Sequence, residues 1–357
     1  MFALVRPSYR DYQHAHQCFG TYWASGRAAA QGLNPYVAYP ETFRGDYRDY
    51  GGSPSVPDLN LNPPFVLPIL QFLSYLPIQS FSVLWAVIGF LAQITATAML
   101  LWIRPEMQNR QICWLLCSAP VIDGLAFGQI YSVLGLLIAI AYVSKKRGHD
   151  TAAAICIGLV VATKPTLAFW PVFLYLGGYR KNALQSGSVA CLASLLPIPL
   201  YGLKIYREWF TALSPDVHWL AYDDIALIPM FSRHGHRLIG FAVAAVLAIA
   251  LGAWVSKRKP DFTTASGVAL IAAIVCGPLA WFDYVSFVAP FFTARNWNWW
   301  GTLAAVLLGP LLMFKALGGG LYLAGTFLIL GVFVAHIERA GVRIPEQEEM
   351  QRFLTIA

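Results

Sequence analysis

Charged residues are scarce in this sequence. Lys, Arg, Asp and Glu make up 12% of its 357 residues, whereas hydrophobic types make up 57% and the mean hydropathy is +0.56. Soluble globular domains carry about 25% charged residues, so the composition excludes an ordinary soluble enzyme. The net charge of +7 lies mostly in short stretches between apolar segments, which membrane topology explains better than a nucleic-acid partner. The composition therefore predicts a polytopic membrane protein.

Cysteine is also rare. The chain has six cysteines, and all but Cys18 lie in apolar segments, where cysteine packs as a small hydrophobe. We therefore predict neither a disulfide framework nor a metal cluster. The N-terminal apolar run is too short for a cleaved signal peptide.

The hydropathy pattern predicts an all-α fold with about 11 or 12 membrane helices, several of them too short to cross a bilayer straight. Residues 1–62 are polar and rich in Gly and Pro, which predicts an extracytoplasmic loop region with one short helix in FGTYWASGRAAAQG. Residues 63–337 predict the transmembrane helical domain, with an external loop at 203–234. Residues 338–357 predict a cytoplasmic tail.

The basic residues allow a topology prediction. If the apolar segments from residue 79 onward alternate in direction, the basic clusters fall on one side, which we expect to be cytoplasmic. These are Arg104, Arg110, Lys145 to Arg147, Arg180, Lys181, Lys257 to Lys259 and Arg295. The unusual polar residues then share the opposite side.

Lys164 interrupts the apolar stretch IGLVVATKPTLAFWPVFLYL. A charge in hydrocarbon costs at least a few kcal/mol. Pro165 ends the preceding helical segment, so the ammonium is expected to reach a polar cavity at the outer membrane face. The alternative is a lysine that snorkels to the interface.

Two further stretches are expected to place polar residues at the same outer face. In DGLAFGQIYSVLGLL, Asp123 and Gln129 bracket a glycine-containing turn, which suits a sugar or phosphate headgroup or is simply a turn. In PLAWFDYVSFVAP, Asp283 lies between aromatics at the end of a span. An acid there is costly unless it binds a ligand or pairs, for instance with Lys164.

The external loop supplies the remaining binding candidates. Aromatic faces and planar polar groups bind sugars, and Arg or protonated His binds phosphate. The candidates are Trp219, Asp223, Asp224, Arg233, His234 and His236. A His-x-His pair with nearby Asp could hold a metal, but a solvated polar loop accounts for the same residues, and we predict no metal.

The order of these pieces resembles bacterial glycosyltransferase family 87, in the GT-C superfamily of polytopic enzymes. The matching stretches are YWASGRAAAQGLNPY, NPPFVLPILQFLSYLP, GQIYSVLGLLIAIAY, IGLVVATKPT, WLAYDDIALIPMFSRHGH and GPLAWFDYVSFVAP. The resemblance implies a GT-C-like fold in the bacterial plasma membrane with an extracytoplasmic active site. It implies inverting transfer of a hexose, commonly mannose, from a polyprenyl-phosphate carrier to a lipid or glycan acceptor, without a cofactor and without nucleic acid.

Two departures from the family pattern matter. The family's general base is an acid just before the YW helix, and an ungapped alignment puts Cys18 there, so the Asp-Tyr pair at Asp11 is our catalytic candidate. The family also carries a transmembrane helix before this loop, whereas only ten residues precede Asp11, so either the start of the sequence is misassigned or the protein is a natural truncation. A catalytically inactive glycolipid-binding homologue and a lipid-linked saccharide transporter or flippase remain alternatives, although transporters usually show internal repeats.

Overall fold

The computed structural model of the chain describes residues 18–37, 60–213, 225–309 and 319–340. Within these ranges all regular structure is helical, which confirms the predicted all-α class. The first helices are α1 (Cys18–Ala30), α2 (Leu67–Leu73), α3 (Ile78–Ile103), α4 (Asn109–Cys117), α5 (Ala119–Ala126), α6 (Tyr131–Lys146), α7 (Asp150–Thr163), α8 (Phe169–Leu176) and α9 (Arg180–Leu195). The later ones are α10 (Ile198–Tyr201), α11 (Lys204–Ala212), α12 (Leu227–Ser232), α13 (Arg237–Arg258), α14 (Phe262–Cys276), α15 (Ala289–Phe292), α16 (Trp299–Leu307) and α17 (Gly319–Ala340). Within the same ranges, three 3-10 helices cover Pro64–Val66, Pro165–Ala168 and Phe282–Val288.

The helices differ in their reach across a membrane. Within the described ranges, three helical stretches are long and apolar enough to span one: Ile78–Ile103, Arg180–Tyr201 and Arg237–Arg258. Others, such as Asp150–Thr163 and Phe262–Cys276, are apolar but shorter. This mixture agrees with the predicted polytopic architecture with short and broken helices.

Helix α14 forms the centre of the bundle. All fifteen of its residues are buried, and it packs against α8, α13 and α17. A helix that is apolar on every face is stable only when neighbours surround it. Gly267 permits close contact between α14 and α17, since a Cβ there would lie 2.3 Å from the Phe333 ring. The core therefore requires small residues along α14.

Ionic contacts gather the basic residues at one end of the bundle. Lys145 Nζ lies 2.7 Å from Asp150 Oδ1 and joins the end of α6 to the start of α7. Arg295 contacts Asp261, the N-cap of α14, at 2.6 Å. Arg104, just after α3, donates to the Thr293 carbonyl at 2.5 Å. These helix termini therefore lie together, and the opposite termini form the other end of the bundle.

Several apolar stretches contain breaks within a segment. Residues 111–122 contain parts of two helices, because Ser118 is extended and Pro120 lies in the first turn of α5. The stretch 203–234 contains helices α11 and α12, and its external position stays a prediction. The segment after Trp281 is a 3-10 helix followed by the short α15.

The predicted segment boundaries stay predictions. The short helix expected in the N-terminal region is α1, and it ends before Gly32, whose φ is +70°. The rest of region 1–62 lies largely outside the described residues. In the predicted tail 338–357, residues 338–340 belong to α17 and the others also lie outside the described residues. The topology of both regions stays a prediction.

Candidate functional site

A glycine-containing turn joins α5 to α6 at the end of the bundle opposite the basic residues. Gly128 has a φ of +64°, its N–H donates to Leu125 O at 3.2 Å, and the Gln129 N–H donates to Gly124 O at 2.9 Å. This is the Schellman arrangement, in which a left-handed glycine closes a helix. Trp85 of α3 holds the turn from outside, because its Nε1 donates to Gly128 O at 2.7 Å.

Helix α1 brings a tyrosine to this turn. The Tyr22 hydroxyl donates to Gln129 Oε1 at 2.8 Å, and its ring lies edge-on to Trp85 at 5.5 Å between centroids. Helix α1 reaches this position because it packs closely on α2: a Cβ at Gly26 would lie 2.3 Å from Leu70 O. The YW helix of the N-terminal region is therefore part of the Gln129 environment.

Lys164 lies at the same end, between α7 and the 3-10 helix that Pro165 begins. Its Nζ is 5.1 Å from the centroid of the Tyr131 ring and 5.5 Å from that of Tyr284. The two rings are 3% and 2% exposed and meet at 82°. Partly desolvated cation–π contacts contribute about 1–2 kcal/mol each. The ammonium thus lies against buried aromatic rings of the bundle.

Two carboxylates flank this group. Asp283 precedes Tyr284 in the first turn of the 3-10 helix and is 4% exposed. Asp123 is half-buried on α5, which packs against that 3-10 helix. The next residue, Gly124, lies beside Tyr131, since a Cβ there would be 3.8 Å from the Tyr131 ring. Both acids therefore lie on elements that contact the Lys164 environment.

The structure brings only part of the predicted set together. Gln129, Lys164, Asp123 and Asp283 belong to one neighbourhood, which we call the polar end site; it is centred on the Tyr131 ring. His234 and His236 are exposed at the turn before α13 and make no side-chain hydrogen bond or ion pair with another described residue. The remaining candidates stand apart for different reasons. Arg233 is half-buried at the end of α12, and Asp11, Trp219, Asp223 and Asp224 lie outside the described residues.

The segment that returns from the external loop is anchored near this site. The Ile225 N–H donates to Ala280 O at 2.9 Å, and both residues are buried. Ala280 lies three positions before Asp283, so the chain re-enters the bundle beside the 3-10 helix. Within the described ranges, no group of three His, Cys, Asp or Glu side chains is placed to hold a metal ion.

Four aromatic residues of the polar end site were not nominated from the sequence: Tyr22, Trp85, Tyr131 and Tyr284. Tyr131 and Tyr284 stand within two positions of nominated residues, Gln129 and Asp283. An aromatic residue next to a polar one at a membrane face usually belongs to an interfacial belt. The local sequence therefore does not distinguish a belt residue from a residue of a binding site. Only the packing of α1, α6 and the 3-10 helix shows that these rings surround polar groups.

The site combines a cation, an amide, two carboxylates and aromatic rings at one end of a helical membrane bundle. This defines a polytopic helical membrane protein with a cluster of polar and aromatic side chains at one end of its bundle. The model of glycosyltransferase family 87 matches residues 60–278, well over half of the chain. The chain belongs to that family and is a membrane-embedded glycosyltransferase. Neither curated proteins nor solved structures yield a match.

Proposed function

We propose that this glycosyltransferase takes a hexose, with mannose as the first candidate, from a polyprenyl-phosphate carrier and transfers it to a lipid or glycan acceptor. The observation that supports the proposal most is the position of Lys164. Its ammonium is 5.1 Å and 5.5 Å from the centroids of two buried aromatic rings, at the end of the bundle where Gln129, Asp123 and Asp283 also lie. A lipid phosphate lies at that depth, because its chain occupies the bilayer and its sugar extends outward.

The proposed reaction is a single displacement. The acceptor hydroxyl oxygen attacks the anomeric carbon, the bond from that carbon to the phosphate oxygen breaks, and the electron pair leaves with the phosphate. A carboxylate takes the hydroxyl proton; we assign this role to Asp11. Attack from the face opposite the phosphate inverts the anomeric configuration.

Lys164 stabilises the departing phosphate in this scheme. Negative charge grows on the phosphate as the bond breaks, so a fixed cation nearby lowers the barrier. Arg233 adds a second positive charge at the same end, where His234 and His236 offer ring nitrogens for hydrogen bonds to phosphate. Because side chains supply this charge, the proposed reaction uses neither a divalent metal nor a cofactor.

The sugar is bound by the polar and aromatic groups around the cation. Gln129 and Asp123 supply an amide and a carboxylate, which suit sugar hydroxyls. The loop residues Trp219, Asp223 and Asp224 complete the proposed site from the external side. An aromatic face against a sugar ring and planar polar groups at its edge are the usual means of recognition.

We place the enzyme in the bacterial plasma membrane with the polar end site outside the cytoplasm. The support is the gathering of basic residues at the opposite end, since cytoplasmic loops carry the excess of Lys and Arg. Lys181→Cys and His234→Cys test this, because both positions are exposed and lie at opposite ends. With the native cysteines replaced by serine, an impermeant thiol reagent added to intact cells should label the His234→Cys variant alone. Labelling of the Lys181→Cys variant alone would reverse the orientation.

The decisive assay is transfer from a radiolabelled polyprenyl-phosphate mannose in membranes that contain the protein. The wild type should release polyprenyl phosphate and label an extractable lipid or glycan, and Asp11→Asn should lose this turnover. Donor binding without turnover in the wild type would identify an inactive glycolipid-binding homologue. Movement of the intact donor across the membrane without transfer would identify a flippase.

A further inference from the structure

Helix α11 lies at the polar end of the bundle, directly after a membrane span. The helical stretch Arg180–Tyr201 is long and apolar enough to cross a membrane. Asn182, near its start, donates to Asp150 O at 3.0 Å, so α9 begins beside α7 at the basic end. Its last residues therefore lie at the opposite end. Gly202, whose φ is +72°, ends the stretch and allows the chain to turn into α11.

Hydrogen bonds hold α11 at the depth of the last turn of α9. The Tyr206 hydroxyl donates to Ser194 O, in that turn. Trp209 Nε1 donates to Leu61 O at 3.1 Å, and the Trp209 and Ile205 side chains are buried against the bundle. Because Ser194 lies near the end of a membrane span, α11 is expected at the level of the membrane surface.

The outward face of α11 is divided between apolar and polar side chains. Leu203, whose backbone is helical although it precedes α11, and Phe210 are 72% and 63% exposed. They are seven positions apart and so lie about 20° apart around the helix; we call them the apolar pair. Lys204 and Thr211 form an exposed polar pair about 100° away, and Arg207 is exposed midway between the two pairs. This division is typical of a helix that lies in a membrane interface.

The apolar pair is turned toward the membrane side of α11. Tyr206, which bonds to the last turn of α9 at Ser194, lies about 50° from the apolar pair and about 150° from the polar pair. On α9 itself, Leu192 and Leu195 are exposed. Exposed apolar side chains on a membrane span face lipid chains. The apolar pair therefore extends the lipid-facing surface of α9.

The outward face of α11 also carries positive charge. Lys204 and Arg207 are exposed and form no ion pair with another residue that the structure describes. Glu208, the acid of this helix, is half-buried near Tyr36, where burial and then the nearby Tyr206 and Glu208 raise the pKa of the Tyr36 hydroxyl. An arginine at the boundary between acyl chains and water lies at the depth of lipid phosphates, which it can bind through two N–H groups.

We propose that α11 is an interfacial helix that binds an anionic phospholipid of the bilayer, with Leu203 and Phe210 among the acyl chains and Arg207 on the phosphate. A bilayer lipid fits better than a second copy of the chain, because the apolar pair continues a lipid-facing surface and the cation lies at its boundary. A headgroup with a net negative charge is preferred, since it brings no cation of its own beside Lys204 and Arg207. This inference goes beyond the proposed function and does not depend on it.

The test places a photoreactive residue on each flank of α11. Phe210→p-benzoylphenylalanine and Thr211→p-benzoylphenylalanine replace adjacent exposed residues, so both variants should fold. In vesicles of equimolar phosphatidylglycerol and phosphatidylcholine, light should link position 210 to phospholipid and leave position 211 largely free of lipid adducts. Mass spectrometry should find phosphatidylglycerol in about fivefold excess over phosphatidylcholine at position 210, as one cation near a membrane surface provides.

A charge variant and its control complete the test. Arg207→Gln, combined with the label at position 210, should lower the phosphatidylglycerol excess to about twofold or less. The matched control Arg180→Gln removes an exposed cation at the other end of α9 and should leave the excess unchanged.

None of these measurements needs sugar transfer, so failure of the proposed reaction leaves their result intact. Equal lipid labelling at positions 210 and 211 would overturn the inference, as would adducts to a second copy of the chain in place of lipid. A lipid preference that Arg207→Gln does not change would equally overturn it.

Discussion

Replacement of Lys164 by alanine is the most direct test of the proposed chemistry. In the structure its ammonium lies against the rings of Tyr131 and Tyr284 at the polar end site. If it approaches the departing phosphate to about 4 Å, an effective dielectric constant near 20 gives an interaction of about 4 kcal/mol. Only the part that grows as the bond breaks lowers the barrier. Loss of one such fixed group typically costs about 10²- to 10³-fold in kcat.

The assay compares initial rates of mannose transfer from polyprenyl-phosphate mannose by purified protein in vesicles. We expect kcat for Lys164→Ala to fall by about 10²- to 10³-fold and Lys164→Arg to retain part of the activity, because a cation remains. The matched control is Lys181→Met, an exposed lysine near the start of α9 at the basic end, which should behave as wild type.

The structural role of Lys164 has to be separated from its chemical role. Loss of its two cation–π contacts should destabilise the bundle by about 2–4 kcal/mol, so thermal unfolding in detergent is measured for each variant. A variant that is still fully folded at the assay temperature but transfers sugar slowly supports the proposed role. Wild-type kcat in Lys164→Ala would refute the reasoning, as would equal losses in the alanine and arginine variants.

Three further substitutions test the residues around the polar end site and the helix contacts that support it. Tyr22→Phe removes the hydrogen bond to Gln129 and should lower the free energy of unfolding by about 1 kcal/mol, as is typical of a neutral bond. It should also lower kcat/KM for transfer by about fivefold, because Gln129 loses the group that positions it. Gly26→Val places a Cβ against the Leu70 carbonyl; it should destabilise the α1–α2 contact by about 1–3 kcal/mol and reduce transfer. Arg104→Met should lower the free energy of unfolding by about 2–3 kcal/mol in a detergent titration and leave KM unchanged, because its guanidinium contacts lie at the basic end.

Each of these predictions has a contrary result. Full activity in Tyr22→Phe would remove α1 from the site. Wild-type stability in Gly26→Val would show that α1 and α2 can separate without cost. A raised KM in Arg104→Met would show that the basic end communicates with the donor.

The sequence predicted the membrane class, the short helices and the break at Lys164, because hydropathy and proline act locally. It also nominated Gln129, Asp123 and Asp283 from their positions at segment ends. It did not identify Tyr22 as a neighbour of Gln129, which lies 107 positions away. That contact depends on how α1 packs on α2 through Gly26, and no periodicity in either segment encodes the pairing. The helical turns within 203–234 were missed because Ile205 and Trp209 pack on Tyr36 and Leu67, far earlier in the chain.

The ties at the basic end have a mechanical consequence. Arg104, Arg295 and Gln111 bind backbone or side-chain oxygens of Thr293, Asp261 and Arg295, so the termini of α3, α4 and α14 are pinned where they meet. A bundle clamped at one extremity deforms most easily at the other. A large substrate of the proposed kind would then need to separate the helices only around the polar end site, while the clamped termini keep them in register.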